Sequence, residues 1–113
     1  MRTYSTWISI AADAGSVWDV HSDVVGWPDW LPTVARVEAL HTAPLGTGAR
    51  YRIVQPKLRA TVCTVTRFEP SQRFAWDARS PGLLVTADHV VFPRPRKRCS
   101  VVLRVSFAGV LGR

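Results

Sequence analysis

Six strand-like segments follow one another after Pro32, with no helical period between them. They cover residues 33–42, 49–55, 60–68, 74–79, 83–92 and 100–107. Phe74, Trp76 and Ala78, for example, alternate with Ala75, Asp77 and Arg79. A two-residue period of this kind is typical of a strand with one covered face. Because only short turns separate the segments, neighbouring strands are expected to be antiparallel. The sequence therefore predicts one large antiparallel sheet.

The N-terminal part has a different period. Residues 3–11 alternate like a strand, and an amphipathic helix follows that Asp13 can cap and Gly26 can end. Pro28 suits a first helical turn and Pro32 prevents continuation, so a very short second helix is expected over residues 28–31. The predicted fold class is α+β, in the order β-α-α followed by six strands, with a seven-stranded antiparallel sheet.

Size and composition exclude several classes of protein. The chain has 113 residues, of which 47% are hydrophobic and 20% charged, so it is expected to form one folded domain and not a disordered segment. No apolar run approaches the roughly 18 residues that cross a membrane, and the N-terminus lacks the apolar stretch of a signal peptide. The expected location is therefore the cytoplasm.

The net charge of +7 raises the question of an anionic partner. Most arginines, however, are isolated between apolar residues at strand spacing, which is typical of a solvated sheet face. The one basic cluster comprises Arg94, Arg96, Lys97 and Arg98. It is either a solvated hairpin tip or an anion-binding patch. Since there is no zinc-finger spacing and no basic helix, no nucleic-acid partner is expected.

No pattern in the sequence indicates a metal or a cofactor. Cys63 and Cys99 are the only cysteines, and no further soft ligand lies near either, so buried thiols are expected. Residues 46–48, Gly-Thr-Gly, form a turn and not a phosphate loop, because no strand-to-helix transition follows them. No cofactor and no metal ligand are predicted.

A co-linear set of short motifs carries a resemblance to a known family. The motifs are GWPDWLP at residues 26–32, PLGTGARY at 44–51, VTRFEP at 65–70, FAW at 74–76 and ADH at 87–89. Together they resemble the SRPBCC superfamily of START and Bet v 1-like proteins, in particular its bacterial polyketide cyclase/dehydrase and lipid-transport group. The resemblance covers about residues 3–112. It implies the helix-grip fold, in which a long C-terminal helix lies in a curved sheet and closes a deep apolar pocket.

The sequence departs from that family at its end. Residues 106–113 are similar to the last strand and the lead-in to the long helix, and the helix itself is missing. Residues 1–113 are therefore expected to form a single SRPBCC-like domain that is C-terminally truncated relative to the family. The concave face would then be uncovered. Either a homodimer is expected to cover it, or the domain is expected to be marginally stable and to aggregate.

The resemblance and the inward-facing rows of the strands together suggest a ligand-binding surface. Its expected members are Trp27, Trp30, Tyr51, Ile53, Gln55, Val65, Trp76, His89, Leu103 and Val105. Trp27 and Trp30 form either a gate at the pocket mouth or a plug of core residues. Gln55 either orients a ligand or is satisfied by a neighbour.

His89 is the one candidate for a catalytic role. It could act as an acid or base in the pocket or hydrogen-bond a ligand carbonyl, or it could be a buried histidine bonded to a backbone group or to Tyr51. The favoured function is non-catalytic binding of a small hydrophobic molecule, such as a lipid, a polyketide or an isoprenoid-like compound. The alternatives are a polyketide cyclase or aromatase-like enzyme that uses His89, and anion or nucleic-acid binding through the Arg94–Arg98 hairpin.

Overall fold

One seven-stranded antiparallel sheet dominates the computed structural model of the protein, which describes residues 2–57, 59–80 and 82–109. The first strand leads into two short helices, α1 and a 3₁₀ helix, and six strands follow. The elements are β1 (Arg2–Ile10), α1 (Ala14–Ser22), the 3₁₀ helix (Val24–Asp29), β2 (Arg36–Ala39), β3 (Arg50–Val54), β4 (Thr61–Glu69), β5 (Arg73–Ser80), β6 (Leu83–Arg94) and β7 (Arg98–Gly109). The predicted α+β order is confirmed.

The strands lie side by side in the order β1-β7-β6-β5-β4-β3-β2. Strands β2 to β7 therefore pair with their neighbours in sequence, as the short turns predict, whereas β1 crosses over to pair with the last strand. Tyr4 lies opposite Val105 and Ile8 opposite Val101, so both strands contribute apolar side chains to one face. The sheet is curved, and the two helices cover part of its concave face.

Helix α1 begins at the predicted cap. The Oδ1 of Asp13 accepts a hydrogen bond from the backbone N–H of Ser16 at 2.9 Å, and Trp18 is buried on the inner side of the helix. The helix ends at Ser22, however, and not at Gly26.

The predicted short helix over residues 28–31 is wrong in position. A 3₁₀ helix covers Val24–Asp29, with Pro28 inside it. Val24 and Trp27 are both buried, and a 3₁₀ helix brings residues three apart onto one edge. Gly26 permits this turn because its missing Cβ leaves room for the Asp23 carboxylate. Gly26 therefore lies within the second helix and does not end the first.

Other strand limits also differ from the prediction. β2 covers only four residues, and directly after it the backbone N–H of Leu40 and the ring of His41 both lie within hydrogen-bond distance of the backbone of Arg50. β6 and β7 are longer than predicted, so the turn between them is confined to residues 95–97.

The core lies between the concave face of the sheet and the two helices. Trp18 packs against the rings of Phe68 and Phe74, with both centroid distances 6.1 Å, while Val65 and Cys99 are fully enclosed. Both cysteines are buried as free thiols.

The end of the chain is described up to Gly109. Residues 106–109 of the expected lead-in belong to β7, and residues 110–113 lie outside the described part of the chain. Within residues 2–57, 59–80 and 82–109, no helix follows β7. None of the helices in those ranges is long and apolar enough to cross a membrane.

Candidate functional site

A large cavity lies between the concave face of the sheet and the two helices. Its volume is about 1060 Å³, which exceeds the roughly 300–1,000 Å³ that is usual for small-molecule sites. The side chains on its wall are mainly aliphatic and aromatic, and they come from β1, both helices and the inner rows of β3 to β7. This shape and composition suit an apolar molecule.

Most of the ligand-binding residues expected from the sequence lie on this wall. They are Trp27, Trp30, Ile53, Gln55, Trp76, His89, Leu103 and Val105. The wall also includes residues that sequence reasoning missed, among them His21 and Val20 of α1 and Ile8 of β1.

Tyr51 and Val65 share the inner face but do not line the cavity. Val65 is 1% exposed and belongs to the core. Tyr51 instead lines a separate cavity of about 330 Å³, together with Asp23 and His41. Burial and, secondarily, the charge of Asp23 raise the pKa of Tyr51. Neither side chain is therefore placed to contact a molecule in the large cavity.

Trp27 and Trp30 have different environments. Trp27 is 5% exposed, and its Nε1–H donates to the carbonyl oxygen of His21 at 2.9 Å. Its ring lies 5.4 Å from that of Trp76. Trp30 is 47% exposed and lies 6.4 Å from Trp27. Trp27 is thus a core residue that also forms part of the cavity wall, whereas Trp30 lies on the wall with about half of its surface exposed.

Two histidines meet at one end of the cavity. His21 Nε2 lies 3.0 Å from His89 Nδ1, so the two rings share one hydrogen bond. The ring of His89 is stacked on Phe74 at 4.6 Å and meets Trp76 edge to face at 5.3 Å. His89 is therefore bonded to another histidine, and not to Tyr51 or to a backbone group.

Both members of this His21–His89 pair have lowered pKa values. Burial lowers the pKa of His21. Burial first, and then the charge of His21, lowers the pKa of His89 to about 3. Both rings are accordingly neutral near pH 7. Among the residues that the structure describes, His89 Nε2 is the one buried side-chain nitrogen or oxygen atom without a hydrogen-bond partner.

The wall of the cavity carries no side chain with a permanent charge within the described part of the chain. None of its wall residues there is an Asp, Glu, Lys or Arg. Cys63 is on the wall, and burial raises the pKa of its thiol to about 11. The described ranges contain no group of three or more His, Cys, Asp or Glu side chains that could hold a metal ion.

The basic cluster lies apart from the cavity wall. It forms the end of the β6–β7 hairpin, where Arg94 Nε donates to Ser100 Oγ at 3.0 Å. Arg96 and Lys97 adopt the left-handed backbone conformation, with φ values of 63° and 56°, and both are exposed. This geometry is that of a tight turn with solvated side chains.

The comparisons with known proteins agree with this architecture. The family model described as polyketide cyclase / dehydrase and lipid transport matches residues 1–113. No curated protein matches the sequence. Among solved structures, the chain is similar to the Zhui aromatase/cyclase from Streptomyces sp. R1128, with 24% identity over 99% of this chain and 70% of that one and a TM-score of 0.78.

Two further structures have the same fold. A protein from Thermobifida fusca shares 23% identity over 98% of this chain and 76% of that one, with a TM-score of 0.81. A START superfamily protein from Mycobacterium smegmatis shares 13% identity over 98% of this chain and 79% of that one, with a TM-score of 0.78. The chain therefore belongs to the polyketide cyclase/dehydrase and lipid transport family, and its fold is that of the START superfamily.

Proposed function

We propose that the protein binds a small hydrophobic molecule in the large cavity. The observation that carries this proposal is the cavity itself, about 1060 Å³ in volume and walled mainly by apolar side chains. Each Å² of apolar ligand surface that enters it contributes about 25 cal/mol to binding. The family supports the ligand class, because its description combines polyketide chemistry with lipid transport.

Leu103 and Val102 provide a matched test. They are neighbours in β7, so their side chains lie on opposite faces, and of the two only Leu103 is on the cavity wall. Apolar probes such as pyrene should raise the melting temperature of the protein and of Val102→Gln, and should shift Leu103→Gln much less. Native mass spectrometry of the purified protein should reveal a retained ligand. The absence of both a retained ligand and a thermal shift with any apolar probe would contradict the proposal.

An enzyme that cyclises or dehydrates a polyketide is the second candidate. His89 is the side chain that would act, and the likeness to the Zhui aromatase/cyclase favours this reading. As a base, its Nε2 would take a proton from the carbon between two ketone groups. The protonated ring would then return that proton to the hydroxyl group that leaves as water.

The electrostatics of His89 favour binding over catalysis. An acid–base catalyst works best when its pKa is near the working pH, whereas the pKa of His89 is about 3. Loss of water from a poly-β-ketone mimic, followed by absorbance, tests the enzyme hypothesis. Turnover that His89→Phe abolishes, while pyrene still binds, would favour the enzyme; no turnover in the unmodified protein would favour the binder.

A homodimer that covers the concave face is part of the proposed arrangement. Exposed apolar side chains on the inner face of β1 support it, since Tyr4 is 57% and Ile8 61% exposed. Native mass spectrometry should detect a dimer that Ile8→Asp disrupts. Ser9→Asp, on the opposite face of the same strand, should leave the dimer intact. A monomer at micromolar concentration would contradict this arrangement.

A further inference from the structure

We propose that the outer face of strands β1, β6 and β7, together with the turn between β6 and β7, docks on an anionic membrane surface. This face is the convex side of the sheet, and the proposal is independent of what the large cavity binds. It accounts for the basic cluster of residues 94–98. It also accounts for Trp7, which has the highest exposure of any large hydrophobic side chain in the described ranges.

An apolar row crosses this outer face. Trp7 lies opposite Val102 in the pairing of β1 with β7, and Val102 lies opposite Val90 in the pairing of β7 with β6. Trp7 is the neighbour of Ile8, which lines the cavity, so the row points away from the cavity. Phe92 lies on the same face as Val90, two residues further along β6. Trp7 is 69% and Phe92 46% exposed, so both rings are open to solvent.

Positive charge borders this apolar row on the outer face and in the turn. The exposed basic residues are Arg94, Arg96, Lys97, Arg98 and Arg104. None of these five side chains forms an ion pair within the described part of the chain. The one acidic residue of β1, β6 and β7 is Asp88, and its carboxylate is already paired with Arg73. The face is therefore strongly cationic and attracts a negatively charged partner.

The mixture of apolar and basic side chains favours a lipid headgroup region over a nucleic acid. Tryptophan is enriched at the interface between lipid and water, and arginine can bury its stem there while its charged end stays with the phosphates. Val90 and Val102 connect the rings of the row. Aliphatic side chains gain from contact with lipid but offer no ring on which a nucleic-acid base could stack. The outer face therefore fits a membrane surface that carries negative charge.

Two contributions to this docking can be measured separately. Each Lys or Arg near an anionic membrane strengthens binding about fivefold. Entry of about 55 Å² of the Trp7 ring into the interface strengthens binding about tenfold. A homodimer that covers the concave face would leave the outer face free, so the two arrangements are compatible.

Sedimentation with lipid vesicles tests the proposal. One set of vesicles contains phosphatidylcholine alone, and the other contains phosphatidylcholine and phosphatidylserine in a ratio of about 7:3. The protein should bind the anionic vesicles at least tenfold more tightly than the neutral ones. Sodium chloride at about 0.5 M should remove most of this difference, because salt screens exposed charges.

A double variant of the turn tests the role of charge. Arg96→Asn/Lys97→Asn removes two charges, and asparagine tolerates the left-handed backbone of both positions. Its affinity for the anionic vesicles should fall about 25-fold. Lys57→Asn/Arg59→Asn is the matched control, because it removes the same charge from exposed residues between β3 and β4, at the opposite end of the sheet. The control should lose less than about threefold.

A second pair of variants tests the apolar row. Trp7→Gln should weaken binding to the anionic vesicles about tenfold. Leu40→Gln removes another exposed apolar side chain, next to the strand at the other edge of the sheet, and should bind like the unmodified protein. Thermal unfolding of each variant confirms that it is folded, as expected for substitutions of exposed side chains.

Several results would overturn the proposal. They are equal binding of the neutral and the anionic vesicles, equal losses in the two double variants, and unchanged binding in Trp7→Gln. Tighter binding of a fluorescein-labelled oligothymidylate than of the anionic vesicles would also overturn it, and would assign the outer face to single-stranded nucleic acid. None of these results affects pyrene binding in the cavity, so failure of this proposal is distinct from failure of the proposed function.

Discussion

His21 Nε2 and His89 Nδ1 lie 3.0 Å apart, although 68 positions of sequence separate the two residues. One residue comes from α1 and the other from β6, so the hydrogen bond joins a covering helix to the sheet. The rings of Phe74 and Trp27 pack on both members of the pair, and these rings carry no charge. The pair is therefore a neutral polar link inside an aromatic cluster.

This pair should make stability depend on pH. In the unfolded chain a histidine takes up a proton near pH 6.5, whereas the pKa of His89 in the folded protein is about 3. Between these values the unfolded state binds more protons, so the free energy of unfolding falls as the pH falls below 6.5. For His89 alone the loss from pH 7 to pH 5 should be about 2 kcal/mol, and His21 adds to it.

Urea denaturation at pH 7 and pH 5 measures this loss. The difference between the two pH values should shrink by about 2 kcal/mol in His89→Phe, since the variant has no proton to gain there. His41→Phe should keep the full difference, and comparison with it removes the contribution of the carboxyl groups. Equal pH dependence in both variants would refute the assignment.

Alanine substitutions of Trp27 and Trp30 should have different effects: the first should mainly lower stability, and the second should mainly weaken ligand binding. Trp27 is 5% exposed and bonded to the carbonyl oxygen of His21, so Trp27→Ala should lower the free energy of unfolding by about 3–5 kcal/mol. Trp30 is 47% exposed, and Trp30→Ala should cost less than about 1 kcal/mol. The loss of one ring on the wall should nevertheless weaken pyrene binding about 2- to 10-fold. A large loss of stability in Trp30→Ala would instead assign Trp30 to the core.

The strands could be predicted from the sequence because their period is local. Phe74 and Trp76 alternate with the smaller or polar residues Ala75 and Asp77, and this two-residue period can be recognised without knowledge of the partner strand. The 3₁₀ helix could not be placed in the same way. Its position depends on the burial of Val24 and Trp27 under the sheet and on the close approach of Asp23 to Gly26. The pairing of β1 with β7 is likewise a long-range contact without a local signal.

Alternation along a strand assigns each residue to the inner or the outer face of the sheet, and only this part of the cavity wall could be predicted from the sequence. Ile53, Leu103 and Val105 follow from alternation alone. Tyr51 and Val65 lie on the same face but are buried by tertiary packing and do not line the cavity. Alternation along a strand does not indicate which residues of the inner face are buried in this way. His21 lies in the amphipathic helix that the sequence predicts, but its hydrogen bond to His89 depends on how that helix packs on the sheet.

Asp88 and Arg73 form a partly buried ion pair on the opposite face of the sheet, with Arg73 Nε donating to Asp88 Oδ1 at 3.1 Å. The side chains are 12% and 27% exposed, whereas those of the comparable Glu69 and Arg67 are 39% and 56% exposed. Asp88→Asn should therefore cost about 1.5–3 kcal/mol. Glu69→Gln should cost less than about 1 kcal/mol. Thermal unfolding of the two variants side by side measures the difference, and equal costs would show that burial does not strengthen this pair.

Gly48 and Gly46 lie in the same turn between β2 and β3 but should respond to alanine in opposite directions. Gly48 has a φ of 92°, and its N–H donates to the carbonyl oxygen of Val65 at 2.8 Å, which ties the turn to β4. A Cβ there would meet open space, so the cost of Gly48→Ala arises from the backbone alone and should be about 1–2 kcal/mol.

At Gly46, where φ is not positive, a Cβ would lie 3.9 Å from the nearest heavy atom outside its chain neighbours, the carbonyl oxygen of Pro44. Because alanine restricts the unfolded chain, Gly46→Ala should raise the free energy of unfolding by about 0.4–1 kcal/mol. Urea denaturation of both variants measures these changes in the free energy of unfolding. If Gly48→Ala left that free energy unchanged, the turn would have to adopt another conformation in solution.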